Sequence, residues 1–165
     1  MPGKLIRLSQ LKKLRGQWRA QGKKIVFTNG CFDLIHPGHI RYLQKARAAG
    51  DCLVVGLNRD RSVRRLKGAG RPILSEAARA EILCALWFVD YVVMFSEDTP
   101  ERLIRVVEPD VLVKGADWPL EKIVGADFVR KKGGRVKQIK FAQGYSTSAI
   151  IDKILKQGLK RGGKK

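Results

Sequence analysis

The sequence is poor in cysteine, histidine and acidic residues, and it contains no long apolar run. No apolar stretch approaches the roughly 20 residues that a helix needs to span a bilayer, and the first ten residues lack the continuous apolar segment of a secretory signal. The three cysteines, Cys31, Cys52 and Cys84, are odd in number and far apart, which argues against a disulfide framework and a zinc site. These absences predict a cytoplasmic protein with no membrane span.

The shortage of acidic residues leaves a large positive charge. Asp and Glu number 15 against 34 Lys and Arg, so the formal net charge is +19. This excess suits polyanionic partners: nucleic acid, an anionic membrane surface or phosphorylated small molecules. Residues 158–165 are predicted to form a basic, flexible tail, and a solvated terminus is the simpler interpretation of its charge. We therefore expect nucleic acid to bind only nonspecifically, through this tail.

Short apolar runs alternate with amphipathic segments along the chain. Because these runs are largely apolar rather than alternating, the strands they predict should be buried on both faces, as in a parallel sheet covered by helices. The predicted strands are KIVFTNG, CLVVGLN, YVVMF, DVLVKG and RVKQIKF. A single doubly wound, Rossmann-like α/β domain over residues 24–157 is predicted, with a five-stranded parallel sheet, helices on both faces and an N-terminal amphipathic helix within residues 1–23 packed on it.

The predicted helices carry end signals. Candidate N-caps are Ser9, Ser75, Thr99 and Ser146, and Gly50 follows one helix in the position of a C-terminal cap. The helical segments are SQLKKLRGQWRAQGKK, residues 37–50, SEAARAEILCALWFV, TPERLIRVV, EKIVGADFVRKKG and STSAIIDKILKQ. The basic segment between the second strand and Ser75 is interpreted as a glycine-containing loop.

The only two histidines, His36 and His39, are separated by Pro37 and Gly38 just after the first predicted strand. Ligands of such sheets bind at the carboxyl ends of strands, and helix N-termini bind phosphate. Both imidazoles can therefore face one anion, with Gly38 allowing close approach to the backbone, which suits in-line attack on phosphorus. Two other interpretations stay open: a metal pair, for which Asp33 is the only nearby third ligand, and polar residues without a chemical role.

Four segments resemble a known superfamily in their order and context. HPGH is an instance of the H-x-G-H signature of the cytidylyltransferase-like nucleotidylyltransferases, and the resemblance extends through TNGCFDLIHPGHIRYLQKAR, VGLNRDRSVRRLKGAGRPI, VLVKGADW and GYSTSAII. Within the superfamily the chain is most similar to the heptose 1-phosphate adenylyltransferases in the form that lacks a kinase half. The resemblance implies transfer of AMP from ATP to D-glycero-β-D-manno-heptose 1-phosphate with release of pyrophosphate, for lipopolysaccharide core or related heptose glycan synthesis. It also implies Mg²⁺ with the ATP and, more weakly, a homodimer.

The resemblance also implies three sets of site residues and no resident metal site. The catalytic set is His36, His39 and Lys67. The nucleotide-binding set is Thr28, Asn29, Gly30, Phe32, Gly38, Lys114, Gly115, Asp117, Trp118, Tyr145, Ser146, Thr147 and Ser148. The acceptor-binding set is Asp33, Asn58, Asp60, Arg64, Arg71 and Arg79.

Several of these residues have simpler interpretations. Thr28 can be an ordinary strand residue, Asp33 can cap a turn, Trp118 can pack against a helix, and Arg79 can be a solvated helix arginine. At the level of the whole chain, two alternatives stay open. One is a different nucleotidyltransferase, using CTP or the acceptors glycerol 3-phosphate or ethanolamine phosphate, although FAQGYST lacks the basic residue that some of these relatives carry there. The other is a basic nucleic-acid-binding module, which would lack interleaved aromatic platforms.

Overall fold

The computed structural model describes residues 3–116, 118–140 and 144–162. Within these ranges, helices and strands alternate along the chain. The strands are β1 (Ile25–Gly30), β2 (Cys52–Asn58), β3 (Tyr91–Phe95), β4 (Val111–Gly115) and β5 (Arg135–Ile139). The helices are α1 (Leu8–Ala20), α2 (Pro37–Arg47), α3 (Asp60–Lys67), α4 (Glu76–Ala85), α5 (Glu101–Val107), α6 (Ala126–Lys131) and α7 (Thr147–Gly162), with a 3₁₀ turn at Leu120–Lys122.

All five strands pair in parallel in the order β3-β2-β1-β4-β5. The predicted five-stranded, Rossmann-like α/β domain is confirmed. The chain builds outward from β1 through β2 to β3 and then crosses to the other side of β1 to form β4 and β5. The strand order therefore reverses between β1 and β4, and this reversal opens a crevice at their carboxyl ends.

The sheet is buried between two apolar layers. One layer contains Leu43 from α2 and Leu83 from α4, and the opposite layer contains Leu11 from α1 and Ile104 from α5. Each of these four side chains is fully buried, and burial of such a side chain stabilises the fold by about 1.5–3 kcal/mol. Helices on both faces explain why β1 to β4 are largely apolar and buried, whereas the same prediction is wrong for β5, an edge strand whose Arg135, Lys137 and Gln138 are exposed.

Several predicted helix ends are wrong. Helix α1 begins at Leu8, and the side chain of Gln10 accepts a hydrogen bond from the Arg7 N–H, so Ser9 lies inside the helix rather than at its cap. Likewise, α5 begins after Pro100, one residue beyond Thr99. Gly50 is not a left-handed cap; a Cβ there would lie 2.6 Å from the Lys24 carbonyl oxygen. Close packing against the start of β1, which has no local sequence signal, therefore explains this glycine.

The predicted basic loop after β2 contains the helix α3. Ser62 and Val63 are buried on one side of it, and Asp60 lies in its first turn, where a carboxylate is favourable. Eight residues are too few for a clear periodic pattern, because short helices depend on tertiary packing. Conversely, the segment predicted as one helix, EKIVGADFVRKKG, is divided at Gly125, whose φ of +84° suits glycine.

Helix α7 begins where predicted, with Ser146 before its first residue, but continues to Gly162 rather than ending near Gln157. The predicted flexible tail is therefore helical over residues 158–162, whereas residues 163–165 lie outside the described ranges. A glycine such as Gly158 lowers the stability of a helix by only about 1 kcal/mol relative to alanine, and cations near a helix C-terminus stabilise the helix. Among the described helices, none has the length and apolar character required to cross a membrane.

Candidate active site

A cleft of about 630 Å³ opens at the carboxyl ends of β1 and β4. The segment from β1 to α2 lies on one side of it, and the segments that precede α7 and follow β4 lie on the other. The predicted site residues that line the cleft are Asn29, Gly30, Phe32, Asp33, His36, His39, Asn58, Lys67, Arg71, Lys114, Gly115, Trp118, Tyr145, Ser146, Thr147 and Ser148. The fold thus brings together residues that are more than a hundred positions apart in the sequence.

The two histidines form a stacked pair at one wall of the cleft. Their ring centroids are 3.9 Å apart with an interplanar angle of 22°. His36 is the N-cap of α2, and its Nδ1 accepts a weak hydrogen bond from the His39 N–H at 3.4 Å. The ring of Phe32 meets His39 edge-on at 5.4 Å. Because only Pro37 and Gly38 separate the two histidines, both imidazoles border the same part of the cleft.

Two glycines make room for these rings. A Cβ on Gly38 would lie 2.9 Å from Cε1 of His36 and 3.4 Å from Cβ of Tyr145. A Cβ on Gly30 would lie 3.0 Å from the ring of Phe32. Phe32 itself has a φ of +43°, a conformation that costs a non-glycine residue about 1–3 kcal/mol and is often found at functional sites. Gly38 does not line the cleft itself but sets the position of a side chain that does.

Burial keeps both imidazoles uncharged near neutral pH. Burial lowers the pKa of His36. Burial, and secondly the neighbouring His36, lowers the pKa of His39 to about 4. A neutral imidazole still donates one hydrogen bond, and a bound anion would favour the protonated form. The positive charge of such a pair can therefore rise when an anion binds.

The opposite wall is formed by the start of α7. The Oγ of Ser146 accepts a hydrogen bond from the Ala149 N–H at 3.0 Å, so Ser146 is the predicted N-cap. Thr147 reaches across to the Leu34 carbonyl at 3.5 Å, and the ring of Tyr145 is nearly parallel to that of His36 at 6.4 Å. The start of α7 thus adds a second set of hydroxyl groups to the cleft that the imidazole pair lines, and helix N-termini are suited to phosphate.

The acceptor side is only partly as predicted. Lys67 at the end of α3, Arg71 and Asn58 line the cleft, and Asn58 also donates to the Ser62 hydroxyl at 2.9 Å. Arg64 is exposed on α3 and does not line the cleft. Asp60 also lies outside it and accepts a hydrogen bond from Arg79 at 2.8 Å. The prediction that Arg64 and Asp60 contact the acceptor is therefore not supported by their positions.

Arg79 is not a solvated helix residue, because its side chain is 0% exposed, and its absence from the cleft lining does not support the prediction that it binds the acceptor. Its guanidinium donates to the carbonyl oxygens of Cys31, Leu74 and Asn58 as well as to the carboxylate of Asp60. A buried guanidinium is tolerated only when its donors are satisfied, and here four acceptors from distant segments satisfy them. Arg79 ties together the ends of β1 and β2 beneath the cleft.

Thr28 is fully buried at 0% exposure, and its hydroxyl is 2.7 Å from the hydroxyl of Tyr42. Thr28 does not line the cleft, whereas Tyr42 does, so a contact between Thr28 and the nucleotide stays a prediction that this conformation does not support. On the β4 side, Lys114 Nζ donates to Asn29 Oδ1 at 2.5 Å and joins the two strands at the reversal point. Trp118 is 51% exposed at the cleft, whereas the predicted site residue Asp117 lies outside the described ranges.

A family model described as cytidylyltransferase-like matches residues 27–153. The chain belongs to the cytidylyltransferase-like family. The sequence is 56% identical to the bifunctional protein HldE of Wolinella succinogenes over 151 residues, which is 92% of this chain and 31% of that protein. It is 62% identical to the bifunctional protein HldE of Geobacter metallireducens over 138 residues, or 84% of this chain and 28% of the relative. The chain thus spans about a third of the length of these curated relatives.

Solved structures agree with the cytidylyltransferase-like assignment. The lipopolysaccharide core biosynthesis protein of Thermoplasma volcanium has a TM-score of 0.61 and 31% sequence identity, covering 76% of this chain and 100% of that one. A pantoate-beta-alanine ligase from Francisella tularensis has a TM-score of 0.60 at 13% identity, covering 84% of this chain and 67% of the ligase; at that identity the likeness shows the fold alone. The family match and these solved structures thus agree on a cytidylyltransferase-like domain.

Sequence reasoning missed several residues that line or border the cleft. Cys31, Tyr42 and Leu66 line it, and Arg41 lies over the ring of Tyr145 with Cζ 5.8 Å from the centroid. Burial raises the pKa of Cys31, which favours the thiol over a reactive thiolate. Arg41 and Tyr42 lie two and three residues after the HPGH segment, so their proximity to the cleft could have been anticipated; Leu66 lay in a segment interpreted as a loop.

The described residues do not form a resident metal site. Within them, no group of three or more His, Cys, Asp or Glu side chains could hold a metal ion. Asp33 is the only carboxylate among the described lining residues, and protein N–H groups already occupy it. The interpretation of the histidines as a metal pair completed by Asp33 therefore has no support in the geometry, and the Mg²⁺ that the resemblance implies stays a prediction.

Proposed function

We propose that this chain transfers AMP from ATP to D-glycero-β-D-manno-heptose 1-phosphate and releases pyrophosphate. The observation that carries the proposal is that the His36–His39 pair and the hydroxyl-rich start of α7 line one cleft. The proposal of a heptose acceptor draws on the similarity to proteins named HldE and to a lipopolysaccharide core biosynthesis protein.

In the proposed reaction, an oxygen of the acceptor phosphate attacks the α-phosphorus of ATP. The new bond joins the two phosphates, while the bond from the α-phosphorus to the bridging oxygen breaks and its electrons leave with pyrophosphate. No protein nucleophile is needed, so the protein contributes positioning and charge stabilisation. His36 and His39 donate to the oxygens of the α-phosphate, where negative charge develops. Ser146 and Thr147 receive the departing pyrophosphate.

The acceptor phosphate is proposed to bind on the α3 side, between Lys67 and Arg71. Lys67 makes no ion pair with a carboxylate in the described part of the chain, so its charge is available for a phosphate. We propose that Mg²⁺ enters with ATP as its complex and neutralises part of the triphosphate charge. The homodimer that the resemblance implies stays a prediction, which light scattering would check.

The test is a screen for pyrophosphate release. The purified chain is incubated with MgATP or MgCTP and a panel of acceptors: heptose 1-phosphates of both anomers, hexose 1-phosphates, glycerol 3-phosphate and ethanolamine phosphate. The proposal predicts release that requires both ATP and a heptose 1-phosphate. Release with CTP and glycerol 3-phosphate would replace it with the cytidylyltransferase alternative, and no release with any pair would overturn it.

Two variants test the assigned groups. His39→Ala should lower kcat by about a hundredfold or more, which is the scale for loss of a transition-state donor. Lys67→Ala should raise the KM of the acceptor. Arg61→Ala is a matched control, since it removes an exposed cation from the same helix without touching the cleft. Undiminished turnover in His39→Ala would remove the imidazole pair from the mechanism.

A further inference from the structure

Asp33 lies at the cleft, yet protein groups occupy its carboxylate. Its side chain is 1% exposed. Oδ1 accepts hydrogen bonds from the backbone N–H groups of Ile73 and Leu74 at 2.8 and 2.9 Å, and Oδ2 accepts one from Arg71 Nε at 2.6 Å. Burial raises the pKa of Asp33, but the Leu74, Ile73 and Arg71 hydrogen bonds outweigh burial and hold it below its usual value. The carboxylate is therefore ionised, its oxygens already accept hydrogen bonds from the protein, and its negative charge would repel a substrate phosphate.

In the described part of the chain, the guanidinium of Arg71 is held by a protein partner through Nε alone, which leaves its two Nη groups for a ligand. Nε pairs with Asp33, whereas neither Nη donates a hydrogen bond to a residue within the described ranges. The side chain is 18% exposed and lines the cleft together with Lys67. An arginine fixed through Nε keeps its two Nη groups as a planar fork, the geometry that binds a phosphate through two parallel hydrogen bonds.

The segment that carries Arg71 is fastened at a second point. Arg79 donates to the Leu74 carbonyl on the same segment and to the Cys31 carbonyl two residues before Asp33. The loop after β1, which carries Asp33, and the segment 71–74 are thus joined by two separate sets of charge-assisted hydrogen bonds. Substrate groups bound on either loop would be held at a fixed separation.

We propose that Asp33 is a positioning residue: it fixes Arg71 so that both Nη groups face the acceptor phosphate, and it does not bind substrate itself. This inference rests on the proposed nucleotidyl transfer to a sugar phosphate. The physical basis is pre-organisation, because an arginine that is already ordered loses less conformational freedom when it binds a phosphate. Loss of the carboxylate should therefore weaken acceptor binding more than nucleotide binding.

The kinetic test compares Asp33→Asn, Arg71→Gln and the double variant. Each single variant should raise the KM of the acceptor by about tenfold and leave the KM of ATP within about twofold. The double variant should be no worse than the poorer single, because both changes remove one unit. Asp98→Asn is the matched control, since it breaks an exposed ion pair with Arg65 outside the cleft. Equal rises in both KM values, or additive effects, would overturn the positioning role.

A second measurement does not require turnover. Hydrogen exchange at the Ile73 and Leu74 amides should accelerate in Asp33→Asn but not in Arg71→Gln, while both variants should lose affinity for inorganic phosphate, followed by NMR shifts. If the wild-type chain transfers AMP to no acceptor, the proposed function fails while this measurement still judges the Asp33–Arg71 pair. Unchanged exchange and unchanged phosphate affinity in Asp33→Asn would refute it.

Discussion

The substitution Gly38→Ala should separate catalysis from stability. The added methyl would lie 2.9 Å from Cε1 and 3.0 Å from Nδ1 of His36, so the imidazole must move by about half an ångström to restore ordinary contact. Because a misplacement of about 1 Å in an active site can cost a hundredfold in rate, kcat should fall about tenfold. The KM of ATP should change less, since the α7 wall is not displaced.

The free energy of unfolding of Gly38→Ala should rise or stay unchanged. Alanine is favoured over glycine within a helix by up to about 1 kcal/mol, and the methyl meets a side chain rather than backbone. For a chain of this size, 1 kcal/mol corresponds to about 2–4 °C in Tm. Gly16→Ala is the matched control: Gly16 lies in α1 with nothing within 4 Å of an added Cβ, so it should gain stability without losing activity.

The assay is steady-state pyrophosphate release for kcat and calorimetry for Tm, on wild type, Gly38→Ala and Gly16→Ala. Wild-type kcat in Gly38→Ala would refute the claim that His36 must occupy its present position. A large fall in Tm would show instead that the backbone of α2 absorbs the added methyl, and it would equally contradict the reasoning.

Three further predictions concern His39, Gly56 and Ser146. The pKa of His39, lowered to about 4 by burial and then by His36, means that the unfolded chain binds a proton from about pH 6.5 downward while the folded chain does not. The free energy of unfolding should therefore fall between pH 6.5 and 4, by at most about 3 kcal/mol from this group. NMR titration of the wild type would check the pKa of His39. Denaturation of His39→Gln, which should lose this part of the pH dependence, would check the effect on stability. Gly56→Ala should destabilise the domain by about 1–3 kcal/mol, because the added Cβ would lie 2.9 Å from Phe27 Cζ in the sheet; urea unfolding with Gly70→Ala as control measures this, and equal stabilities would contradict it. Ser146→Ala should cost about 1 kcal/mol through loss of the N-cap bond to Ala149 and raise the KM of ATP, whereas a change in Tm alone would limit Ser146 to a structural role.

Local patterns predicted those features that depend on neighbouring residues. Largely apolar runs identified β1 to β4, since a strand buried on both faces needs apolar residues at most positions, whereas the edge strand β5 is mostly polar and exposed. The HPGH segment placed both imidazoles at one helix start, where short spacing alone keeps them together. By contrast, α3 was missed because its eight residues depend on burial of Ser62 and Val63 against other elements.

The roles of charged residues could not be predicted in the same way. Asp33 and Arg71 are 38 positions apart, and Arg79 meets Cys31 from 48 positions away. Whether such a side chain is exposed to ligand or buried as a support depends on which acceptors the fold brings to it, and burial of a charge is tolerated only when they are supplied. The sequence by itself determined the order of the five strands and the placement of both imidazoles at the start of the helix after β1. Only the tertiary structure decided which cations face the cleft and which hold it together, because long-range hydrogen-bond partners have no local signature.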